Sequence, residues 1–249
     1  MKYAPLPSPL LWRESGGEAL YFMEILYEDN HLIIINKTCN EIVQPDKTGD
    51  TPLSETIKEY LKEKYAKPGN VFIGVAHRID RPVTGVVVFA KTSKALARMN
   101  EMFRSHNLKK RYWAIVKNPP PEPEMTLTHY MIRNEKQNKA YAYDEQIETS
   151  KKSILSFKVL AQSDNYNLLE VDLKTGRHHQ IRCQLAKIGC PIKGDIKYGF
   201  PRTNKDGGIS LHAHSIEFIH PVSKLPIKII APLPSDSLWD EFVKILGKE

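Results

Sequence analysis

Val71-Phe72-Ile73-Gly74-Val75-Ala76-His77-Arg78-Ile79-Asp80-Arg81-Pro82-Val83-Thr84-Gly85-Val86-Val87-Val88-Phe89 consists of two short apolar runs with a charged segment between them. β-Branched and aromatic runs of this length read as strands, so His77 to Gly85 becomes a loop anchored at both ends in a sheet. That loop holds four ionisable side chains within five residues, His77 to Arg81. A loop fixed by rigid strands is a good place to hold a reactive group. Asp80 has Arg78 and Arg81 close in sequence, and nearby positive charge favours the carboxylate over the acid. Asp80 is therefore a candidate nucleophile or base. The alternative is a structural carboxylate that caps or pairs in a turn, since ion-pair networks also perturb titration.

Further runs with strand character occur at Leu32 to Ile35, Arg111 to Val116, Ile154 to Leu160, Leu168 to Leu173, Ser210 to Ile219 and Ile227 to Ile230. Helices interrupt them. Thr51 precedes Pro52, and Leu53, Ile57, Tyr60 and Leu61 then share one face. Ser93 precedes Leu96, Met99 and Phe103, and Ser235 precedes Leu238, Phe242 and Leu246. A fourth helix is expected over about His178 to Ile188, stopped by Gly189. Helices among hairpins without strict βαβ alternation give an α+β class with a mostly antiparallel sheet. Residues 1–22 are rich in Pro, Ser and Gly and read as a surface arm or a partly disordered one, ahead of a single folded region over 23–249. Pro119, Pro120, Pro121 and Pro123 form either a stiff connector between two lobes or a loop within one domain.

The chain of 249 residues is long enough for a sizeable core, and an excess of 36 Lys and Arg over 29 Asp and Glu could attract a polyanion. Cys39, Cys183 and Cys190 form no C-x-x-C pair, so neither a disulfide framework nor a zinc knuckle is readable and a reducing compartment is expected. No apolar stretch approaches the roughly 20 residues that span a bilayer, and no export signal is visible. The expected location is the cytoplasm.

The second dense segment is Thr175-Gly176-Arg177-His178-His179-Gln180-Ile181-Arg182-Cys183-Gln184. Gly176 allows a tight turn, after which a helix start would direct N–H groups and cations one way, suited to negative charge. Arg182, four residues after His178 and three after His179, would share a helical face with them. The bland alternative is a solvated basic helix start. His178 and His179, with His212 and His214 two apart on a strand, raise a metal site. However, adjacent histidines diverge on a helix and no zinc-type spacing is present, so no metal is expected. In Lys109-Lys110-Arg111-Tyr112-Trp113, alternation puts Tyr112 on one face and Trp113 on the other. One of these rings could meet a base, although a strand tyrosine is more often core.

Taken together, these segments resemble the RluA family of RNA pseudouridine synthases. Ile25 to Leu32 through Asn36-Lys37 is similar to its first motif, and His77-Arg78-Ile79-Asp80 through Thr84-Gly85 and Ala90-Lys91 to its second. Thr175-Gly176-Arg177 with His179 to Arg182, then Gly189, Pro191-Ile192, Gly194-Asp195 and Tyr198-Gly199, is similar to its third, and Leu211-His212-Ala213 with His220-Pro221 to its closing strands. The likeness covers about Glu24 to Pro234.

The resemblance implies a large, bent, mixed and mainly antiparallel sheet flanked by helices, with a central basic cleft. It implies isomerisation of uridine in ribosomal or transfer RNA to pseudouridine with no cofactor and no metal; a monomer is expected. Asp80 would be the catalytic carboxylate, attacking C1′ or removing a ribose proton, much as a glycosidase carboxylate supports an oxocarbenium-like centre. Arg182 would hold that carboxylate ionised and oriented. Tyr112 would pack on the target base, and Arg78 would fill the space left by the flipped nucleotide. Arg81, Arg177 and His179 would contact RNA, with salt-dependent binding. Val83 and Thr84 stand where members usually have Thr and Ser, His178 replaces a Thr or Ser, and Gln184 a common His. Two rival readings are a catalytically silent RNA chaperone on the same scaffold, and a metal-dependent hydrolase using the four histidines.

Overall fold

The strand Thr84–Ala90 is buried along its whole length, which explains why its sequence carries almost no polar residue. In this computed structural model, which describes residues 10–12 and 23–247, that strand is β5 of twelve. Before it come β1 (Leu10–Trp12), β2 (Met23–Glu28), β3 (Leu32–Lys37), helix α1 (Leu53–Lys64) and β4 (Gly74–Val75). After it come α2 (Ser93–Arg104), β6 (Lys109–Val116), β7 (Glu124–Asn134), β8 (Lys139–Tyr143), β9 (Lys151–Gln162) and β10 (Asn167–Leu173). The chain ends with α3 (Gln180–Lys187), a 3-10 turn (Ile196–Tyr198), β11 (Leu211–Ile219), β12 (Pro226–Ile230) and α4 (Ser237–Leu246).

The chain divides into two units, one of Met1–Lys109 with Ser215–Pro232, the other of Lys110–His214 with Leu233–Glu249. In the first, hydrogen bonding runs β1-β2-β3-β5, with β4 also on β5 and β12 on β11. Antiparallel register sets Ile33 opposite Phe89 and Ile35 opposite Val87. Alternation then sends Val87 and Phe89 with Ile33 and Ile35 onto Ile57 and Leu61 of α1, while Val86 and Val88 with Ile34 meet Ala95 and Met99 of α2. Burying these apolar side chains contributes about 1.5–3 kcal/mol each, so both helices are held chiefly by the two faces of β3 and β5.

In the second unit the order is β11-β6-β10-β9-β7-β8. Ile115 of β6 and Leu168 of β10 pack under Trp239 and Phe242 of α4, while Met131, Ala140 and Tyr198 gather against Cys183 of α3. Every register described in either unit is antiparallel, and helices flank the strands, as expected for the α+β class. Among the described residues no helix is long and apolar enough to cross a membrane.

Several local expectations change. The run Val71 to Val75 is strand only at Gly74–Val75. Gly74 lies so close to α2 that a Cβ there would stand 2.6 Å from Leu96 Cδ2. Thr92, not Ser93, caps α2 by accepting from the Ala95 N–H, and Asp236, not Ser235, caps α4 by accepting from the Leu238 N–H. The proline run lies inside the second unit, between β6 and β7. The hairpin β7-β8 has no counterpart in the sequence reading, because its inward positions at 127, 129 and 131 include a histidine that breaks the apolar stripe. Of the N-terminal arm, only Leu10–Trp12 lies within the described residues.

Candidate active site

In the first unit the loop that carries Asp80 is tied down at each step. His77 at its root accepts the Val88 N–H through Nε2 at 3.1 Å and lies 4.7 Å, centroid to centroid, from the Phe103 ring. Ile79 packs onto the α1 side of the core, while Arg78, one position earlier, is exposed. The Asp80 carbonyl accepts from the Val83 N–H at 3.0 Å, closing a turn, and the Arg81 carbonyl accepts from the Asn40 N–H at 3.1 Å. Gly85 then adopts φ 110°, a backbone conformation that side chains disfavour.

The centre of this arrangement is Lys37, at the end of β3 and only 1% exposed. Its ammonium donates to the carbonyls of Thr38 (2.7 Å), Arg81 (2.9 Å) and Val83 (2.8 Å). Three ammonium hydrogens thus meet three oxygens, two of them in the Asp80 loop. Burial pulls Lys37 down to about 8, against the opposing charges of Glu41, Cys39 and Asp80. At neutral pH it stays an ammonium within the field of the Asp80 carboxylate.

Arg81 is already engaged. Its Nη2 donates to Asp50 Oδ2 at 2.6 Å and to Thr48 Oγ1 at 2.7 Å, and lies 3.7 Å from Asp46 Oδ2. Hydrogen bonds from Thr48, with Arg81 adding its charge, hold Asp46 below the usual carboxylate range, and Asp50 is lowered chiefly by Arg81 itself. A phosphate reaching this guanidinium would have to displace carboxylates on the 46–50 loop.

In the second unit Tyr112 stands on β6 opposite Val171, 8% exposed. Arg182 projects from α3, and its fork is bidentate on Asp195, Nε to Oδ2 at 2.7 Å and Nη2 to Oδ1 at 2.9 Å. Both side chains are buried, at 6% and 1% exposure, and the guanidinium carbon sits 5.2 Å from the Tyr198 ring centroid. The Tyr198 hydroxyl accepts from the Ala140 N–H at 2.8 Å and is 3.0 Å from His179 Nδ1. Burial pushes that phenol well above its ordinary range, so it stays protonated.

The histidines overturn a local expectation. α3 begins at Gln180, and His179 adopts a left-handed backbone with φ 52°. The His178 and His179 rings therefore stack, 3.8 Å apart with 23° between planes, rather than diverging as on a helix. His178 and His179 thus precede the helical face that carries Arg182. His179, expected at the RNA surface, is 8% exposed and lies against Tyr198, whereas Arg177 is exposed. His214 stacks on Trp113 at 4.0 Å and His212 meets Trp239 at 6.1 Å.

The segment before α3 is pinned by two buried amides. Gln180 Oε1 accepts from Thr175 Oγ1 (2.8 Å) and from the Arg177 N–H (3.0 Å), and its Nε2 donates to Ile154 O (3.1 Å) and Gln184 Oε1 (2.9 Å). Gln184 continues to His129 Nδ1 at 2.9 Å. The structure thus brings Arg182 and His179 together around Tyr198, and Asp80 and Arg81 together around Lys37. The roles of Lys37, Asp195 and Tyr198 are not legible in the sequence, because a partner 13 or 44 residues away leaves no local spacing to read.

The RNA pseudouridylate synthase family profile matches residues 31–187. The chain is similar to the ribosomal large subunit pseudouridine synthase C of Buchnera aphidicola, at 33% identity with 85% of this chain and 68% of that protein covered. It is similar to the tRNA pseudouridine synthase C of Vibrio cholerae, at 28% identity with 90% and 96% covered. Among solved structures, human RNA pseudouridylate synthase domain containing 4 shares the fold, with TM-score 0.72 at 21% identity over 90% of this chain and 92% of that one. The chain spans about two thirds of the length of the first curated relatives it matches, from 66% to 68%. With the profile covering the Asp80 loop and the Arg182 helix alike, the chain belongs to the RNA pseudouridylate synthase family.

Proposed function

We propose that this protein converts uridine in ribosomal or transfer RNA to pseudouridine, with Asp80 as the catalytic carboxylate. The observation that carries the reading is the clamp on the Asp80 loop, where a buried ammonium binds the backbone on both sides of residue 82. Such a clamp fixes a carboxylate before substrate arrives, and pre-set geometry lowers a barrier because no ordering remains to be done at the moment of reaction. Asp80 supports cleavage of the N1–C1′ bond, as nucleophile at C1′ or as base toward the ribose. The uracil then turns, C5 bonds to C1′, the C5 proton leaves and N1 gains one, so the isomerisation balances without redox change. Tyr112 packs on the base and relays the C5 proton, its hydroxyl taking that proton as it passes its own to water, Arg182 orients the carboxylate, and Arg78 fills the space of the flipped nucleotide. Arg177 and Arg81 meet phosphates, Arg81 after exchange with Asp50. His179 supports Arg182 through the Tyr198 phenol instead of touching RNA. The names of the relatives support both RNA classes.

The test is to incubate ribosomal and transfer RNA with wild-type and Asp80→Ala proteins and map pseudouridine. New pseudouridines with the wild type and none with the variant are expected. Product from Asp80→Ala at the wild-type rate would remove Asp80 from the chemistry, and none from either protein would remove the activity.

A further inference from the structure

The end of α1 carries a feature that the proposed chemistry does not use. Tyr65 is 47% exposed, yet its hydroxyl donates to Glu28 Oε1 at 2.8 Å. The Glu28 side chain is only 6% exposed and also receives Lys64 (2.7 Å), Tyr60 (2.8 Å) and Lys91 (2.7 Å). The ring is thus held by a buried anchor while much of it stays open. Around it stand three ammonium groups, Lys91 at 5.0 Å, Lys64 at 5.4 Å and Lys67 at 5.5 Å from the centroid. Lys67 is brought back beside the ring by the helix ending: Ala66 takes φ 45° and the Lys67 N–H donates to the Lys62 carbonyl at 3.0 Å, a Schellman-type closure.

We propose that Tyr65, with Lys64 and Lys67, is a stacking platform for an unpaired nucleotide of the RNA, outside the target uridine, while Lys91, 7% exposed and paired with Glu28, lends its charge from beneath. The proposal rests on RNA being the substrate. Closing α1 onto β2 explains why Tyr60 and Lys64 grip Glu28, Lys91 joins them from just past the end of β5, and that carboxylate is satisfied without a fourth donor. It does not explain a half-open ring with three cations around one anion. An acidic peptide would use the ammonium groups and leave the ring idle, whereas a nucleotide uses both, its base on the ring and its phosphates on the cations. Because Glu28 already fixes the ring, stacking orders little that was mobile. Lys67, exposed at the chain turn, is free to swing from ring to phosphate.

The experiment measures binding of the full chain to a fluorescent dodecauridylate across a salt series, together with pseudouridine formation on transfer RNA. Tyr65→Leu is expected to weaken oligonucleotide binding about 5- to 20-fold. Tyr65→Phe, which keeps the ring, should stay within about threefold, and Lys67→Gln should lower the salt slope by about 0.7. On transfer RNA, Tyr65→Leu should raise KM and leave kcat unchanged. Binding by Tyr65→Leu within twofold of wild type would overturn the platform, as would equal losses in Tyr65→Leu and Tyr65→Phe, which would assign the effect to the Glu28 anchor. A wild type that makes no pseudouridine would refute the enzymatic reading and leave the oligonucleotide result to judge the platform by itself.

Discussion

Replacing Lys37 by methionine separates the two things the buried ammonium does. Burial holds Lys37 at about 8 instead of 10.5, which corresponds to roughly 3 kcal/mol against the charged form at neutral pH. Methionine, of similar length, relieves that cost. It also strips a donor from the carbonyls of Thr38, Arg81 and Val83, of which Arg81 retains the Asn40 N–H. Two carbonyls losing the donor they share cost together about 2–6 kcal/mol. At pH 7 the gain and loss largely offset, so the variant should fold, with stability within about 3 kcal/mol of wild type. The pH dependence is decisive. Between about 8 and 10.5 the unfolded chain binds a lysine proton that the folded chain does not. Stability from this group therefore rises with pH across that window and is absent below it. Parallel urea titrations should show the wild type gaining roughly 3 kcal/mol over Lys37→Met between pH 7 and pH 10.5, because all other groups cancel in the difference. Pseudouridine formation by the variant should fall at least about tenfold at pH 7, since the Asp80 loop loses its anchor. Stability curves that stay parallel across the window would refute the buried ammonium, and full activity in the variant would refute the clamp.

Asp195→Ala removes the bidentate carboxylate from a buried guanidinium and should cost about 3–5 kcal/mol in chemical denaturation. Asp195→Asn, which keeps the shape and one acceptor, should cost less while still lowering kcat on RNA more than it changes KM. Burial pushes Glu28 up, but its hydrogen bonds from Lys64, Lys91, Tyr60 and Tyr65 outweigh this and hold it at about 2. Its contribution is therefore complete above pH 4.5 and lost as pH falls toward 2, so Glu28→Gln should flatten the acid limb of the stability curve by about 2–3 kcal/mol. Asp50→Asn should leave the thermal midpoint within about 2 °C, as expected of an exposed ion pair, and should tighten RNA binding at low salt if the Arg81 guanidinium meets phosphate. Unchanged binding in Asp50→Asn would take Arg81 out of the interface.

Much of the fold could be read from one-dimensional pattern. The runs at 32–35 and 86–89 carry no polar residue because both faces of their strands are covered, and the three-to-four spacing of Leu53, Ile57 and Leu61 leads to the face of α1 that does so. The hairpin β7-β8 escaped because buried His129 is satisfied by Gln184, a partner 55 residues away that supplies polarity where the pattern expects an aliphatic. For the site, the charged loop and the Arg182 helix stood out through local density of charge. What local density does not show is which charges are already taken. Arg81 is committed to Asp50, and Arg182 to Asp195, through chain reversals that no spacing rule anticipates. The stack of His178 on His179 depends on one left-handed residue at the helix entrance, a backbone choice usually left to glycine or asparagine.

The dependence of the 80–83 turn on a side chain from another strand limits how this protein can be re-engineered. Grafting residues 77–85 onto a foreign scaffold would carry the acid but leave behind the group at position 37 that closes the turn from beneath. A transplanted segment of that kind would collapse or fray, however faithfully its own letters were copied. The smallest portable module is therefore a pair of neighbouring strands, β3 with β5, and lengthening or shortening the connection at 80–83 by one residue would misalign two oxygens at once.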